Sequence, residues 1–240
     1  MRVVRQVITP IIKGLLRILC RIDDAELARV PDRGPLIVVT NHVNFLEVPL
    51  LYTHLLPRPV TGFAKAENWD NLFLRTLLFR MWGGIPLHRG EPDVSALRRA
   101  LKALEDGAIL GVAPEGTRSG HGRLQRGRPG VVWLAMYSGA PLLPVVFYGG
   151  EHFWRNLARL RRTDFHIIVG NPFYLDLDGV KPTRQVRHQI IDEIMYQIAA
   201  LLPPAYRGAY SDLTAASETY LRFPPGMESN LRRASTHSAG

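Results

Sequence analysis

A histidine and a carboxylate stand five residues apart in the run Thr40-Asn41-His42-Val43-Asn44-Phe45-Leu46-Glu47. A neutral imidazole held by a carboxylate is a proton acceptor near neutral pH, the group needed to deprotonate a hydroxyl. The spacing does not suit one face of a helix, because five residues advance about 500° and leave the side chains about 140° apart. The pair can meet only if the chain turns between them. The apolar run Leu36-Ile37-Val38-Val39 lies directly before it. A buried strand delivering a loop at its end would make such a turn. Alone, the same two residues also suit a surface His and a surface Glu with nothing in common.

The elements that must position this loop alternate between strand-like and helical patterns, which predicts an α/β domain. Leu36 to Thr40, Ala108 to Val112, Leu142 to Tyr148 and Phe165 to Val169 read as strands, and Gly84 to Leu87 as a short extended piece. Phe73 to Met81 and Gly130 to Ser138 read as helices. Pro92 to Asp106 is the clearest helix, with Asp93 or Ser95 able to cap it, an apolar stripe of Leu97, Ala100, Leu101 and Leu104, and Gly107 to end it. A long helix is expected from Thr183 to Leu202, stopped by Pro203-Pro204. From about Pro224 the chain is polar, so residues 224–240 are expected to be a disordered tail after a body spanning 31–223. No internal repeat or linker divides that body.

The chain has 240 residues, a formal charge of +9 and one cysteine, Cys20. That length can bury a substantial single core. A single cysteine excludes an internal disulfide framework and a cysteine-based zinc site. The histidines show no metal-ligand spacing, so no metal is expected. The positive charge fits nucleic acid, an anionic membrane surface, or phosphorylated and CoA-linked substrates.

Residues 1–30 hold the clearest asymmetry. Arg2, Arg5, Lys13, Arg17 and Arg21 precede the first acid, Asp23, and apolar residues recur between them at helical spacing. The uncharged runs are shorter than the ~20 residues that cross a bilayer. An amphipathic helix lying in the membrane interface fits this pattern. An ordinary helix packed on the domain with its basic side solvated fits it too, and the two can coexist. Pro31-Asp32-Arg33-Gly34-Pro35 then breaks this segment from the body.

Four stretches follow predicted elements in order: Asn41-His42-x4-Glu47, Gly84-Ile85-Pro86-Leu87-His88-Arg89, Pro114-Glu115-Gly116-Thr117-Arg118-Ser119, and Ala140-Pro141-Leu142-Leu143-Pro144-Val145. Together they resemble the four blocks of the glycerolipid acyltransferases related to 1-acylglycerol-3-phosphate acyltransferase. The resemblance spans roughly residues 30 to 175, and its third block is the most specific. It implies a mixed sheet flanked by helices, preceded by a membrane-docking N-terminal helical motif. It also implies transfer of a fatty acyl group from acyl-CoA or acyl carrier protein, as co-substrate rather than cofactor. The acceptor would be a lysophospholipid, with lysophosphatidate going to phosphatidate as the leading case.

Under this resemblance His42 is the base that takes the acceptor's hydroxyl proton, and Glu47 fixes its tautomer and stabilises the imidazolium. Relatives usually carry Asp where this chain has Glu47. The extra methylene lengthens the reach and costs rotamer freedom, and the role is expected to survive with a slightly shifted backbone. The resemblance assigns Arg89 and Arg118 to the acceptor phosphate, onto which a guanidinium can fork two charge-assisted hydrogen bonds. Lys65, Glu115, Gly116 and Thr117 complete that set. Glu115, itself anionic, would shape the pocket by pairing a basic group or the loop backbone, and Thr117 offers a hydroxyl. The acid-free stretch holding His121, Arg123, Arg126 and Arg128 could face phosphate, anionic headgroups or simply water. Pro141 and Pro144 would set backbone shape, and His88 more simply alternates out of a short strand than serves as a second base.

The expected location is the cytoplasmic face of a membrane, peripheral or monotopic, with an anionic lipid surface and the two substrates as partners. Acceptors such as glycerol 3-phosphate or another lyso-lipid stay open, as does the oligomeric state. From a different class, a basic lipid- or nucleic-acid-binding protein without turnover also accounts for the charge. Nucleic acid is not expected, because the basic residues are scattered at strand ends without interleaved aromatics.

Overall fold

The computed structural model describes residues 2–66, 82–88 and 93–237. The expected helix over 73–81 and the candidate ligand Arg89 lie outside the described residues. The chain runs α1 (Arg2–Leu19), β1 (Cys20–Asp23), β2 (Leu36–Val39), α2 (Glu47–His54), β3 (Val60–Lys65), β4 (Ile85–Leu87), α3 (Val94–Glu105) and β5 (Ile109–Val112). It continues through α4 (Gly130–Ser138), β6 (Leu142–Tyr148), α5 (Phe153–Ala158), β7 (Thr163–Val169), β8 (Tyr174–Leu175), α6 (Arg184–Leu201), β9 (Leu221–Arg222) and α7 (Asn230–His237).

Seven strands form one mixed sheet in the order β1-β7-β6-β2-β5-β3-β4, and β8 pairs with β9 separately. Strands β6, β2, β5, β3 and β4 are mutually parallel, while β7 runs antiparallel to β6 and parallel to β1. The centre follows from composition. All four residues of β2 are buried, as a parallel strand covered on both faces requires. Successive side chains point to opposite faces, so Leu36 and Val38 enter one core cluster and Ile37 and Val39 the other. One cluster takes in α3, α4 and α6, and the other takes in α1, α2 and α5. The result is an α/β sandwich of three layers.

Helix starts follow local chemistry where the sequence marks them. The Asp93 side chain accepts from the Ala96 N–H at the start of α3 at 2.9 Å, and Thr183 caps α6 through the Val186 N–H. The N-terminal segment differs from a continuous interface helix over 1–30. The α-helix stops at Leu19, and Cys20–Asp23 joins the edge of the sheet beside β7. Leu16 and Cys20 are buried with α2, while Val7, Ile11, Leu15 and Ile18 of the same helix are exposed. So α1 is packed on one side and presents an apolar stripe outward on the other.

The expected disordered tail is corrected over its described part. Asn230, at the start of α7, is fully buried. It accepts from the Asn171 N–H at 2.7 Å and donates to Asn171 O at 3.1 Å and to Gln197 Oε1 at 3.0 Å. Polar residues hold this segment because each finds a partner, and composition alone cannot reveal that.

Candidate active site

The first four parallel strands counted from the β4 edge end on one rim of the sheet, and the predicted site residues follow those ends. His42 follows β2, Lys65 ends β3, His88 follows β4, and residues 115–118 follow β5. Strand ends of this polarity are where open α/β sheets form binding crevices.

The loop after β2 is pinned before it turns. Asn41 is 1% exposed, its Nδ2 donates to Phe147 O at 2.7 Å, and its Oδ1 accepts from the Phe147 N–H at 2.8 Å. The side-chain amide thereby continues the β2–β6 ladder after the main chain has left it. Freed from that ladder, the His42 N–H donates to Glu115 Oε1 at 3.0 Å. Ser119 N–H donates to His42 O at 2.8 Å, and Gly120 N–H to Val43 O at 3.1 Å. The first and third sequence blocks are therefore stitched together along their main chains.

The turn does bring His42 and Glu47 together. His42 Nδ1 lies 3.1 Å from Glu47 Oε2, with the Glu47 side chain only 2% exposed and the His42 side chain 20% exposed. A carboxylate at Nδ1 favours the tautomer with the proton there, leaving Nε2 as the free acceptor. Glu47 has a second task. Its two oxygens accept the Asn44 N–H at 3.0 and 3.2 Å, while Asn44 Oδ1 accepts the Leu46 N–H at 2.7 Å. This reciprocal pattern is that of a capping box with Glu at its fourth position, wound just ahead of α2. A glutamate long enough to reach back to Asn44 and across to His42 satisfies both, which gives a physical account of Glu47.

Glu115 bonds the loop backbone through both of its oxygens. It is 2% exposed, and its second oxygen accepts the Gln125 N–H at 2.9 Å. Burial pushes its carboxyl above the ordinary glutamate value, against the opposing pull of the His42 and Gln125 N–H groups. Both oxygens are committed to main-chain donors, so Glu115 braces the His42 loop. Gly116 has φ +71°, which a side chain resists, and a Cβ there would lie 3.2 Å from Arg128 Cδ. Thr117 is half-buried, and Arg118 and Lys65 are exposed.

Three residues take roles that the sequence did not assign to them. Asn41 carried no signal, because its partner is Phe147 on a distant strand. Asn44 was legible in principle, since Asn44-Phe45-Leu46-Glu47 has capping-box spacing. Arg128 belonged to the basic stretch, but only the fold lays it over Gly116. Among the described residues no group of three or more His, Cys, Asp or Glu side chains could hold a metal ion.

Comparison with known proteins gives this geometry a context. Residues 21–148 match the family model described as Acyltransferase. The 1-acyl-sn-glycerol-3-phosphate acyltransferase of Bacillus subtilis (strain 168) is 27% identical over 146 residues, covering 60% of this chain and 70% of that protein. The chloroplastic 1-acyl-sn-glycerol-3-phosphate acyltransferase BAT2 of Brassica napus is 28% identical over 155 residues, covering 58% of this chain and 41% of that one. The match thus spans less than half of the Brassica protein. In fold, the chain is similar to the 1-acyl-sn-glycerophosphate (LPA) acyltransferase PlsC of Thermotoga maritima. That likeness has a TM-score of 0.55 at 22% identity, covering 79% of this chain and 78% of that one. With more than half its length matched by the family model, this chain belongs to the Acyltransferase family, related to the 1-acylglycerol-3-phosphate acyltransferases.

Proposed function

We propose that this protein transfers a fatty acyl group from acyl-CoA or acyl carrier protein to the free hydroxyl of a lysophospholipid, with lysophosphatidate to phosphatidate as the first case. The observation that carries the proposal is the His42 Nδ1–Glu47 Oε2 contact of 3.1 Å, made in a loop bonded directly to the block holding Arg118. In the reaction His42 Nε2 takes the acceptor's hydroxyl proton as its oxygen attacks the thioester carbonyl. The C–S bond then breaks, and the imidazolium returns the proton to the departing thiolate. Glu47 stabilises the imidazolium between these steps. Holding both substrates in place contributes about 7–11 kcal/mol toward the barrier, so positioning matters as much as the base.

Arg118 and Lys65 are the described cations proposed to hold the acceptor phosphate, with Thr117 donating its hydroxyl and Arg89 expected to join them from outside the described residues. The exposed stripe Val7, Ile11, Leu15 and Ile18 on α1 supports docking of this helix on a bilayer. No described helix is long and apolar enough to cross a membrane. We therefore propose peripheral or monotopic attachment at the cytoplasmic face, where the acyl chains stay in lipid and CoA and the headgroup phosphate stay in water.

The test is a panel of acceptors, including lysophosphatidate, glycerol 3-phosphate and other lyso-lipids, run with one labelled acyl-CoA on wild type and His42→Ala. Lysophosphatidate should be the preferred acceptor, and His42→Ala should lower turnover about 10²–10⁴-fold with the thermal midpoint unchanged. Undiminished turnover in the variant would remove His42 as the base. Vesicle and DNA binding without turnover in the wild type would support the non-enzymatic reading.

A further inference from the structure

The exposed large hydrophobic residues are unevenly distributed. Seven of the eleven among the described residues belong to the layer built from α1, α2 and α5: four on α1, then Phe45, Trp154 and Leu160. The last three belong to other segments than α1. Leu160 is 95% exposed and adopts φ 53°, a backbone region that costs a branched side chain energy and that Gly or Asn would occupy more readily. A single exposed leucine is ordinary. A leucine held out by an unfavourable backbone, six residues from a tryptophan that is 64% exposed, calls for a partner.

The surrounding charge identifies that partner. Residues 152–163 contain no acid and four arginines, 155, 159, 161 and 162. Asp164, just beyond, is engaged by Arg21 at 3.3 Å. Exposed Trp and Leu ringed by arginines is the composition of a surface that settles at the boundary between headgroups and acyl chains of an anionic bilayer.

The segment is also tied to the two parts of the molecule that matter. Arg162 Nη2 donates to Arg17 O and Cys20 O, where α1 ends. The Trp154 ring lies 5.5 Å from that of Phe45, three residues beyond His42.

We propose that the stretch from Trp154 to Arg162 is a second lipid-contacting element, in which Trp154 and Leu160 enter the interface of an anionic bilayer while Arg155, Arg159 and Arg161 hold its phosphates. It rests on the membrane-surface reading above for its partner, but on different residues. Its consequence is orientational. One helix on a surface leaves the body free to roll about that helix, and a second contact packed against Phe45 fixes the catalytic loop against the lipid.

The experiment uses the full chain carrying Cys20→Ser and Leu160→Cys, labelled at residue 160 with an environment-sensitive fluorophore. It is mixed with vesicles of phosphatidylglycerol or of phosphatidylcholine. A blue shift with the anionic vesicles and a smaller one with the zwitterionic vesicles are expected. In the unlabelled protein, the combined Arg155→Gln, Arg159→Gln and Arg161→Gln variant should bind anionic vesicles about 10–100-fold more weakly, its thermal midpoint unchanged. Should the labelled variant fold poorly, Leu160→Asp with Cys20 retained is expected to weaken cosedimentation in the same direction. Tight vesicle binding with the label still in water and the arginine variant unaffected would overturn this element and leave docking by α1 standing. No cosedimentation of the wild type with either vesicle would overturn both.

Discussion

Around His42 almost every polar atom is engaged, whereas along the adjoining loop from Arg118 to Arg128 the cations stand exposed. His42 uses its N–H, its carbonyl and its Nδ1, and Asn41, Glu47 and Glu115 each have both side-chain polar atoms bonded. Arg118, Arg123, Arg126 and Arg128 are exposed and form no ion pair among the described residues. Proton transfer demands an acceptor held within hydrogen-bond reach of the reacting hydroxyl, and only a buried, fully bonded scaffold fixes a ring that closely. Anion recognition by a long side chain tolerates a range of positions and needs a charge that is not already neutralised. The proposed base and the proposed phosphate rim therefore obey opposite rules although their main chains are bonded together.

Substitutions in the two regions should have distinct kinetic signatures. The largest effect is expected from Glu47→Gln, which keeps the shape and removes the charge facing the imidazolium. The turnover number should fall roughly 10²–10⁴-fold with little change in KM, read by steady-state kinetics with labelled acyl-CoA. A loss confined to KM would mean that Glu47 serves substrate binding. Arg118→Ala should act on recognition alone, lowering kcat/KM about 10–100-fold for a phosphate-bearing acceptor while sparing a neutral one. Equal loss on both acceptors would move Arg118 out of the phosphate rim and into the structural set.

The smallest effect concerns neither region but the contact between α1 and α2. The side chain of His54 is 2% exposed, its Nδ1 meets Leu50 O at 3.0 Å and Thr53 Oγ1 at 2.9 Å, and its Nε2 lies 3.5 Å from Asp24 Oδ2. Burial lowers its pKa from 6.5, Lys13 and Arg17 add to that, and the Leu50 carbonyl and Asp24 oppose it. The unfolded chain then binds more protons than the folded one as pH falls through 6.5, so the stability contribution is present above that value and lost below it. The thermal midpoint should drop between pH 7 and pH 5.5 by a few degrees, and His54→Gln should flatten that part of the profile. An identical profile in the variant would assign the acid sensitivity to other groups.

Legibility in the sequence followed the nature of each signal. Strands β2 and β6 were visible because strands covered on both faces are continuous apolar runs. Helices α3 and α6 were visible because Asp93 and Thr183 mark their starts. Helix α2 was not, since Glu47–His54 carries Pro49 and has no clear apolar stripe, yet a proline in the first turn removes an N–H that the helix leaves unpaired. Strand β3 was obscured by Gly62, and β1 by following α1 with no turn between them. The order around α7 was hidden because buried amides, not apolar residues, hold it in place.

Local chemistry already specifies an α/β chain, a histidine and a carboxylate that meet only through a turn, a glycine where the backbone needs one, and an excess of cations. These are legible because propensity, periodicity and side-chain chemistry act over a few residues. Only the assembled fold brings Asn41 to complete a ladder with Phe147, sets Glu115 to brace His42, and lets Arg162 tie the turn after α5 to the end of α1. Those contacts join residues 73, 106 and 142 positions apart, and no local pattern encodes them. They arise only when the sheet brings distant strand ends together and each buried polar atom must find a partner there.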